Sequence, residues 1–302
     1  MVPDGWFYEA GQGHRLWVTT WGHPQGVPVL FLHGGPGSGC GPAAQGLFDA
    51  TRHRVIFVDQ RGAGRSTPPR SREANTTAHL LGDLEGVRQA VGLESWFLVG
   101  GSWGATLALA YAQAHPNRVR GLVLRSVFLG TRSELDWAFD VGLRMFFPAH
   151  HRALHGLVTG VPDPLPALWQ AILHPDPVIH RPAALAFYRA ERAMSDLTPA
   201  SDLPDPGPDA TLPATPFMES HYFANHCFLA PDQLICDAGR LAHLPGEIIQ
   251  PLQDLLCPPA TSDRLLARWP ASRLITVPGA GHSLHHPEVY AALRAAISRV
   301  TG

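Results

Sequence analysis

The sequence predicts an α/β protein with a mostly parallel central sheet, helices on both faces and an inserted helical segment. Short apolar runs such as 29–32 (VLFL) and 55–58 (VIFV) are typical of strands buried on both faces of a parallel sheet. Segments with helical apolar spacing separate these runs, which gives the strand-helix-strand order of parallel crossovers. A chain of 302 residues that is 45% hydrophobic can bury the large core that such a fold requires.

The first 130 residues predict most of the sheet. Alternation between residues 8 and 21, a turn at 23–26 (HPQG) and β-formers at 27–32 predict an opening antiparallel hairpin whose second strand is 27–32. By the same patterns, we expect strands at 55–58, 96–99 and 121–124, and helices at 77–91 and from 105 to about 115.

The character of the chain changes at residue 131. From 131 to 240 Trp, Phe, His and Pro are frequent and the apolar spacing is helical, with a Pro/Asp/Ala-rich loop at 199–216. Strand patterns resume at 248–249 and 273–277, with helices at 261–269 and 287–300. We therefore expect a core formed by residues 1–130 and 241–302 and a helical cap domain formed by residues 131–240.

The composition excludes several classes of function. A net charge of −2 provides no field that favours nucleic acid or an anionic membrane. The chain contains no lysine, which excludes a lysine nucleophile or Schiff base. The amino terminus lacks a signal-peptide pattern and no apolar run reaches bilayer length, so a cytoplasmic protein without membrane contact is expected. The oligomeric state is left open.

Neither the cysteines nor the histidines indicate a metal site. Cys40, Cys227, Cys236 and Cys257 show no C-x-x-C spacing, so we expect packed thiols rather than disulfides or metal ligands. The 17 histidines include adjacent pairs at 150–151 and 285–286, and their spacings do not match recognised ligand motifs. No bound metal is expected.

The sequence GGSWG at 100–104 predicts a nucleophile. A β-rich run precedes Ser102 and an Ala/Leu-rich helix follows it, which is the strand-turn-helix setting of the nucleophile elbow in the α/β-hydrolase fold. Glycines suit this turn because side chains two positions either side of the serine would collide with the packed strand and helix. A glycine-rich βα turn with an incidental serine is the alternative explanation.

An α/β-hydrolase also needs an acid and a histidine later in the chain, on loops at the carboxyl ends of strands. Asp254 follows the strand predicted at 248–249, and His282 lies in the loop PGAGHS after the strand at 273–277. We expect His282 to take the proton of Ser102 and Asp254 to orient the imidazole. Taken singly, Asp254 also fits a helix N-cap and His282 a surface loop.

The loop 33–37 (HGGPG) lies where this fold supplies a donor to the oxyanion hole. We expect the backbone amides of Gly35 and Trp103 to hold the oxyanion, because a glycine lets a carbonyl oxygen approach closely. A simple turn is the alternative for this loop. The segment 59–62 (DQRG) is expected to brace the top of the sheet through an ion pair, without a part in the chemistry.

Five segments together resemble the proline iminopeptidases, also called prolyl aminopeptidases: HGGPGSGCGP at 33–42, DQRGAGRSTP at 59–68, NTT at 75–77, GGSWGATLALAYAQAHPNRV at 100–119 and PGAGHS at 278–283. The resemblance covers nearly the whole chain. It implies a serine exopeptidase that removes an N-terminal proline from peptides, with a helical cap and no metal or cofactor. By the same resemblance, Glu191 and Glu219 bind the free amino terminus of the substrate, and Phe128 and Phe223 line the proline pocket.

Three cap positions depart from the pattern of this family. Ala190 replaces a tryptophan, Ala138 replaces an aromatic residue, and Phe217 replaces an arginine near Glu219. We expect the two lost aromatics to enlarge or reshape the pocket, so that the preference for proline extends to other small or apolar residues. Loss of the arginine removes a counter-charge from Glu219. A serine esterase or amidase with another acyl specificity is the alternative function, followed by a non-catalytic binding protein.

Overall fold

The computed structural model describes residues 5–197 and 211–302. One sheet of eight strands runs through these residues. The strands are β1 (Gly5–Gly11), β2 (His14–Gly22), β3 (Val27–Leu32), β4 (His53–Val58), β5 (Trp96–Ser102), β6 (Val119–Val127), β7 (Gly246–Pro251) and β8 (Ser272–Val277).

The sheet is mostly parallel, which confirms the predicted fold class. Its strand order is β1-β2-β4-β3-β5-β6-β7-β8. The two pairs β1/β2 and β2/β4 are antiparallel, and every neighbouring pair from β4 to β8 is parallel. The carboxyl ends of the parallel strands therefore meet at one edge, where this fold places its functional loops.

The predicted partner of the opening strand is wrong. β1 pairs with β2 through the turn Gln12-Gly13, whose φ angles of 48° and 77° are the positive values that a two-residue hairpin turn requires. β3 lies parallel between β4 and β5 instead. The alternating segment thus contains its own turn, and the continuous apolar run of β3 suits a central strand covered on both faces.

Among residues 5–197 and 211–302, four α-helices accompany the sheet and seven lie in the segment between β6 and β7. That segment also contains the π-helical turn Trp137–Val141. The helices are α1 (Thr77–Ala90), α2 (Trp103–Ala114), α3 (Arg132–Asp136), α4 (Gly142–Phe146), α5 (Pro148–His155), α6 (Pro164–Ile172), α7 (Pro177–Ser195), α8 (Thr215–Ala224), α9 (Gln233–Cys236), α10 (Pro259–Leu266) and α11 (Pro287–Val300). Much of the loop predicted at 199–216 lies outside the described residues.

Apolar side chains cover both faces of the sheet. Leu30 and Leu32 pack on the face that carries α2, whereas Val29 packs with residues of α11 on the other face. This alternation is the period of two that a strand imposes on its side chains. Aromatic residues between β6 and β7, such as Phe187 and Phe223, belong to the same buried cluster as α2. The helical segment therefore shares one continuous hydrophobic core with α2, on the α2 side of the sheet.

The cysteine prediction holds in part. All four cysteines are free thiols, and Cys227 and Cys257 are buried. Cys40 is half-buried, but Cys236 is exposed, so the expected packing is wrong for Cys236.

In residues 5–197 and 211–302, no helix combines the length and the apolar character that crossing a bilayer requires.

Candidate active site

Ser102 stands at the junction of β5 and α2 in a strained backbone conformation, with φ 56° and ψ −124°. The turn leaves no room for side chains around it. A Cβ added at Gly100 would lie 2.3 Å from the carbonyl oxygen of Gly104, and one at Gly104 would lie 2.2 Å from that of Leu32. The glycines therefore permit the turn that presents the serine at the carboxyl edge of the sheet.

Asp254 and His282 meet in the loops that follow β7 and β8. The imidazole Nδ1 lies 3.0 Å and 2.9 Å from the two carboxylate oxygens of Asp254, and both residues are buried. Because Nδ1–H donates to the carboxylate, the basic lone pair of His282 is on Nε2. His282 and Ser102 line the same open cleft.

The environment keeps Asp254 ionised. Burial disfavours its charged form most strongly, but His282 and hydrogen bonds from neighbouring groups hold the pKa of Asp254 below its usual value. The backbone amides of Leu256 and Cys257 donate to its Oδ1 at 3.1 Å and 2.8 Å. An ionised Asp254 is suited to orient the imidazole and to stabilise its protonated form.

Two residues at the end of β6 support this pair and were not predicted. The half-buried guanidinium of Arg125 donates to the backbone carbonyl of His282 and to the hydroxyl of Ser126 at 3.0 Å. Ser126, with φ 49°, hydrogen-bonds to Asp254. An arginine at the end of an otherwise apolar strand was the available signal in the sequence.

Gln60 connects the loop 33–37 to the start of α2. Its backbone N–H donates to Nε2 of His33 at 3.0 Å, and its side-chain amide donates to the carbonyl of His33 at 3.1 Å. The indole of Trp103 donates to Oε1 of Gln60 at 2.8 Å. Gly35, with φ 102°, lines a cavity together with Ser102. The two elements expected to form the oxyanion hole are thus joined through one side chain, whose role was not predicted.

The brace expected from the segment 59–62 is present. Arg61 forms a two-pronged ion pair with Asp83, with N–O distances of 2.6 Å and 2.7 Å, and both side chains are buried. Asp59 accepts hydrogen bonds from the backbone amides of Cys40 at 2.6 Å and Arg65 at 2.9 Å. Arg61 therefore ties the top of β4 to α1, and Asp59 fixes the adjoining loops.

Ser102 borders two spaces. A cavity of about 40 Å³ lies on the side of the helical segment. An open cleft of about 330 Å³ includes His282, Arg125 and Ser38 in its wall, together with Glu191 and Ser195 of α7. The cavity is lined by Gly35, Ser102, Phe128, Glu134, Leu135, Ala138, Phe139, Glu191, Glu219, Phe223, Leu256 and Cys257. A substrate that reaches Ser102 therefore meets a small cavity, which both Glu191 and Glu219 border, and a larger cleft that contains His282.

Glu191 of α7 and Glu219 of α8 meet in the wall of the small cavity. Their carboxyl groups interact, and because two neighbouring like charges repel each other, the pair is most stable with one proton between them. Burial raises the pKa of both, and the negative charge of Glu191 raises that of Glu219 further. Among the described residues, Oε2 of Glu219 has no hydrogen-bond partner. This unsatisfied buried oxygen is suited to accept from an N–H group of a ligand.

Aromatic rings form the apolar wall of the cavity. Phe128 and Phe223 pack edge to face, with centroids 5.8 Å apart. Phe139 adds a third ring that stacks on Phe187 at 4.3 Å, and Trp169 contacts Phe223 at 6.3 Å. The last three rings were not among the predicted site residues. The high aromatic content of residues 131–240 was a signal for them, but it did not say which rings face the serine.

The three residues of the helical segment that differ from the family pattern lie in different surroundings. Ala138 lines the small cavity, whereas Ala190 is fully buried and is not part of the lining described above. Phe217 lies beneath the guanidinium of Arg70, which is 4.4 Å from its ring centroid. The expected change in pocket shape therefore applies directly to Ala138.

Comparison with known proteins agrees with this geometry. A sequence profile of the α/β hydrolase fold matches residues 27–150. A proline iminopeptidase of Xylella fastidiosa is 39% identical over 280 residues, which cover 91% of this chain and 89% of that protein. This chain belongs to the proline iminopeptidase family. A proline iminopeptidase of Arabidopsis thaliana is 36% identical over 93% of this chain and 75% of the plant protein.

Solved structures extend the comparison to the fold of the family. The proline iminopeptidase of Mycobacterium smegmatis superposes with a TM-score of 0.65 at 22% identity, and the match covers 99% of both chains. The esterase RhEst1 of Rhodococcus superposes with a TM-score of 0.58 at 18% identity over 98% of this chain and 99% of the esterase. Proline iminopeptidases and esterases thus share this fold, so the activity has to be argued from the site.

Proposed function

We propose that this protein is a serine exopeptidase that releases the N-terminal residue of a peptide, with proline or another small apolar residue in the cavity. The observation that carries the proposal is the position of Glu191, which is half-buried, and Glu219, which is buried: both border the same small cavity as Ser102. A free amino terminus is a cation that fits such a pair. An esterase has no need of two acids at this place.

The reaction that we propose proceeds through an acyl-enzyme. Ser102 attacks the carbonyl carbon of the first residue while Nε2 of His282 takes the hydroxyl proton. The amides of Gly35 and Trp103 stabilise the oxyanion, and His282 then protonates the departing amine of the second residue. Water attacks the ester in the same manner and releases the amino acid. Asp254 stays ionised and stabilises the imidazolium throughout.

Recognition of the amine replaces the proton that the two glutamates share. An ammonium about 4 Å from a carboxylate gains about 4 kcal/mol at an effective dielectric of 20, before desolvation is counted. A peptide with a blocked amino terminus offers no such charge and leaves Oε2 of Glu219 unsatisfied. The pair therefore selects for a free amine.

The remaining features follow from the shape of the site. Phe128 and Phe223 give the cavity the apolar wall that a proline ring requires, and the open cleft beside His282 leaves room for the rest of the peptide. We infer that residues 131–240 act as a cap that closes the substrate's first residue off from water. Our proposal places the enzyme in the cytoplasm, acting without a metal or cofactor in the reaction.

Comparison of anilides with esters tests the proposed activity. Prolyl and alanyl anilides with a free amine should be cleaved, and Ser102→Ala should lower kcat by ~10⁶ because a nucleophile lost from a triad removes most of its rate enhancement. Efficient hydrolysis of short acyl esters, with no measurable cleavage of free-amine anilides, would establish an esterase instead. Labelling of Ser102 by an organophosphonate distinguishes either enzyme from a binding protein.

A further inference from the structure

A second cluster of chemically active side chains lies outside the active site, on the helical segment. It consists of Asp140, in the π-helical turn, and of His151 and His155, one turn apart on α5. One potential donor atom from each of the three lies within 4.8 Å of the others. Nε2 of His151 is 2.9 Å from Oδ1 of Asp140. The two imidazole rings stack with centroids 4.0 Å apart, so one ring must turn out of this stack before a nitrogen of each can face one ion.

We propose that Asp140, His151 and His155 bind one divalent transition-metal ion, with Zn²⁺ the best fit. Two imidazole nitrogens and one carboxylate oxygen form a donor set that Zn²⁺ takes, with a water molecule in the fourth position. The ion would replace the proton between His151 and Asp140. Two ligand atoms each about 2.1 Å from a tetrahedral metal lie about 3.4 Å apart. His151 Nε2 and Asp140 Oδ1 are 2.9 Å apart and need to separate only slightly to take an ion between them.

The surroundings of His155 match those of a metal ligand. Its Nε2 donates to the backbone carbonyl of Phe139 at 2.8 Å, which leaves the lone pair on Nδ1. Metal-binding histidines almost always donate their second ring N–H to a carbonyl or carboxylate in this way. Arg144 is a nearby positive charge that opposes the ion, but its side chain is exposed to solvent.

The site is connected to the substrate cavity through a single helical turn. Asp140 directly follows Ala138 and Phe139, which line the cavity. Trp137, at the start of the turn, donates to the carbonyl of Leu255 beside Asp254 at 2.7 Å. π-Helical turns are frequent at functional sites. A metal at Asp140 would therefore join α5 to the wall of the cavity and stiffen it.

This proposal differs from the expectation drawn from the sequence, which considered adjacent histidines and found no ligand motif. The pair His151 and His155 has the i, i+4 spacing that places two side chains on one helix face. The third donor, eleven residues before His151, belongs to another element. Only the packing of α5 against the π-helical turn brings the three together.

Metal titration of the full-length protein tests the site directly. Chelator-treated protein should bind one Zn²⁺ in calorimetry, and Co²⁺ should give visible absorption bands typical of nitrogen and oxygen ligands. Asp140→Asn and His155→Ala should each weaken Zn²⁺ binding by more than about 100-fold, because loss of an outer partner alone costs 10- to 100-fold. His150→Ala, on the same helix but outside the cluster, should bind like the unmodified protein.

Two results would overturn the proposal. Absence of saturable 1:1 binding of both Zn²⁺ and Co²⁺ to the unmodified protein would show that no such site exists, and this result does not depend on any variant folding. Unchanged binding in the variant His151→Ala/His155→Ala would place the ion elsewhere among the 17 histidines. Since the readout is metal binding, failure here is distinct from failure of the proposed peptidase activity.

Discussion

The indole N–H of Trp103 donates a hydrogen bond of 2.8 Å to the side-chain oxygen of Gln60. The amide nitrogen of the same side chain donates to the carbonyl of His33 at 3.1 Å. All three residues are buried, so water does not compete for these bonds. One side chain therefore sets the spacing between the two backbone segments that carry the proposed oxyanion donors.

Replacing Gln60 by leucine should slow catalysis without weakening substrate binding. Both hydrogen bonds are lost, and a displacement of an oxyanion donor by about 1 Å can cost ~10²-fold in rate. We therefore expect kcat for a prolyl anilide to fall about 10- to 100-fold, with KM changed by less than about 3-fold. Steady-state kinetics measures both constants. Gln89→Leu, at an exposed position of α1, is the control. A rise in KM with unchanged kcat would contradict a positioning role.

Replacing Glu219 by glutamine should make the protein more stable than the unmodified chain, by an amount that grows as the pH rises. Burial and the charge of Glu191 raise the pKa of Glu219, so the folded state holds this proton more tightly than the unfolded state does. This stabilisation is complete below about 4.5, the pKa of Glu219 in the unfolded chain. It is lost as the pH rises through the pKa of Glu219 in the folded protein. The glutamine variant cannot ionise, and its melting temperature should exceed that of the unmodified protein near neutral pH.

Melting curves across the weakly acidic to neutral range measure this difference. The gap between the two proteins should widen with increasing pH. Glu94→Gln removes an exposed carboxylate and should show no such widening. A gap that narrows as the pH rises would mean that the folded state favours the ionised form of Glu219.

Enlarging Ala138 should narrow the range of substrates. Ala138 lines the small cavity, and a phenylalanine there would take up space that a large first residue needs. We expect Ala138→Phe to lower kcat/KM for a leucyl anilide at least about 10-fold more than for an alanyl anilide, since one methylene group in a fitted pocket is worth about 10-fold or more. Ala295→Phe, exposed on α11, is the control. Equal losses for both substrates would indicate that Ala138 does not shape the pocket.

The sequence predicted the elements better than their arrangement. Apolar runs located β4, β5 and β6 because burial on both faces leaves a continuous local pattern. The partner of β3 was missed because pairing depends on the whole sheet. Gln60 and Arg125 were missed for a related reason, since their hydrogen bonds reach elements distant in sequence.

The helical segment shows the same limit. Glu191 and Glu219 were found through family resemblance, because a lone glutamate on a helix usually faces solvent. Their contact with each other depends on how α7 packs against α8, which no local pattern encodes. Only the packing of the helices shows that Phe139 lines the cavity and that Phe187 stacks behind it.

Discrimination between a free and a blocked amino terminus tests the central claim most directly. The measurement is kcat/KM for prolyl anilide and N-acetylprolyl anilide, in the unmodified protein and in Glu191→Gln and Glu219→Gln. The free substrate should be preferred by about 30-fold or more, since a buried charge that loses its partner costs at least about 2 kcal/mol, and each 1.4 kcal/mol is a factor of ten. Each variant should lose most of this preference through slower cleavage of the free substrate. Equal cleavage of the two substrates by the unmodified protein would contradict recognition of the amine by Glu191 and Glu219.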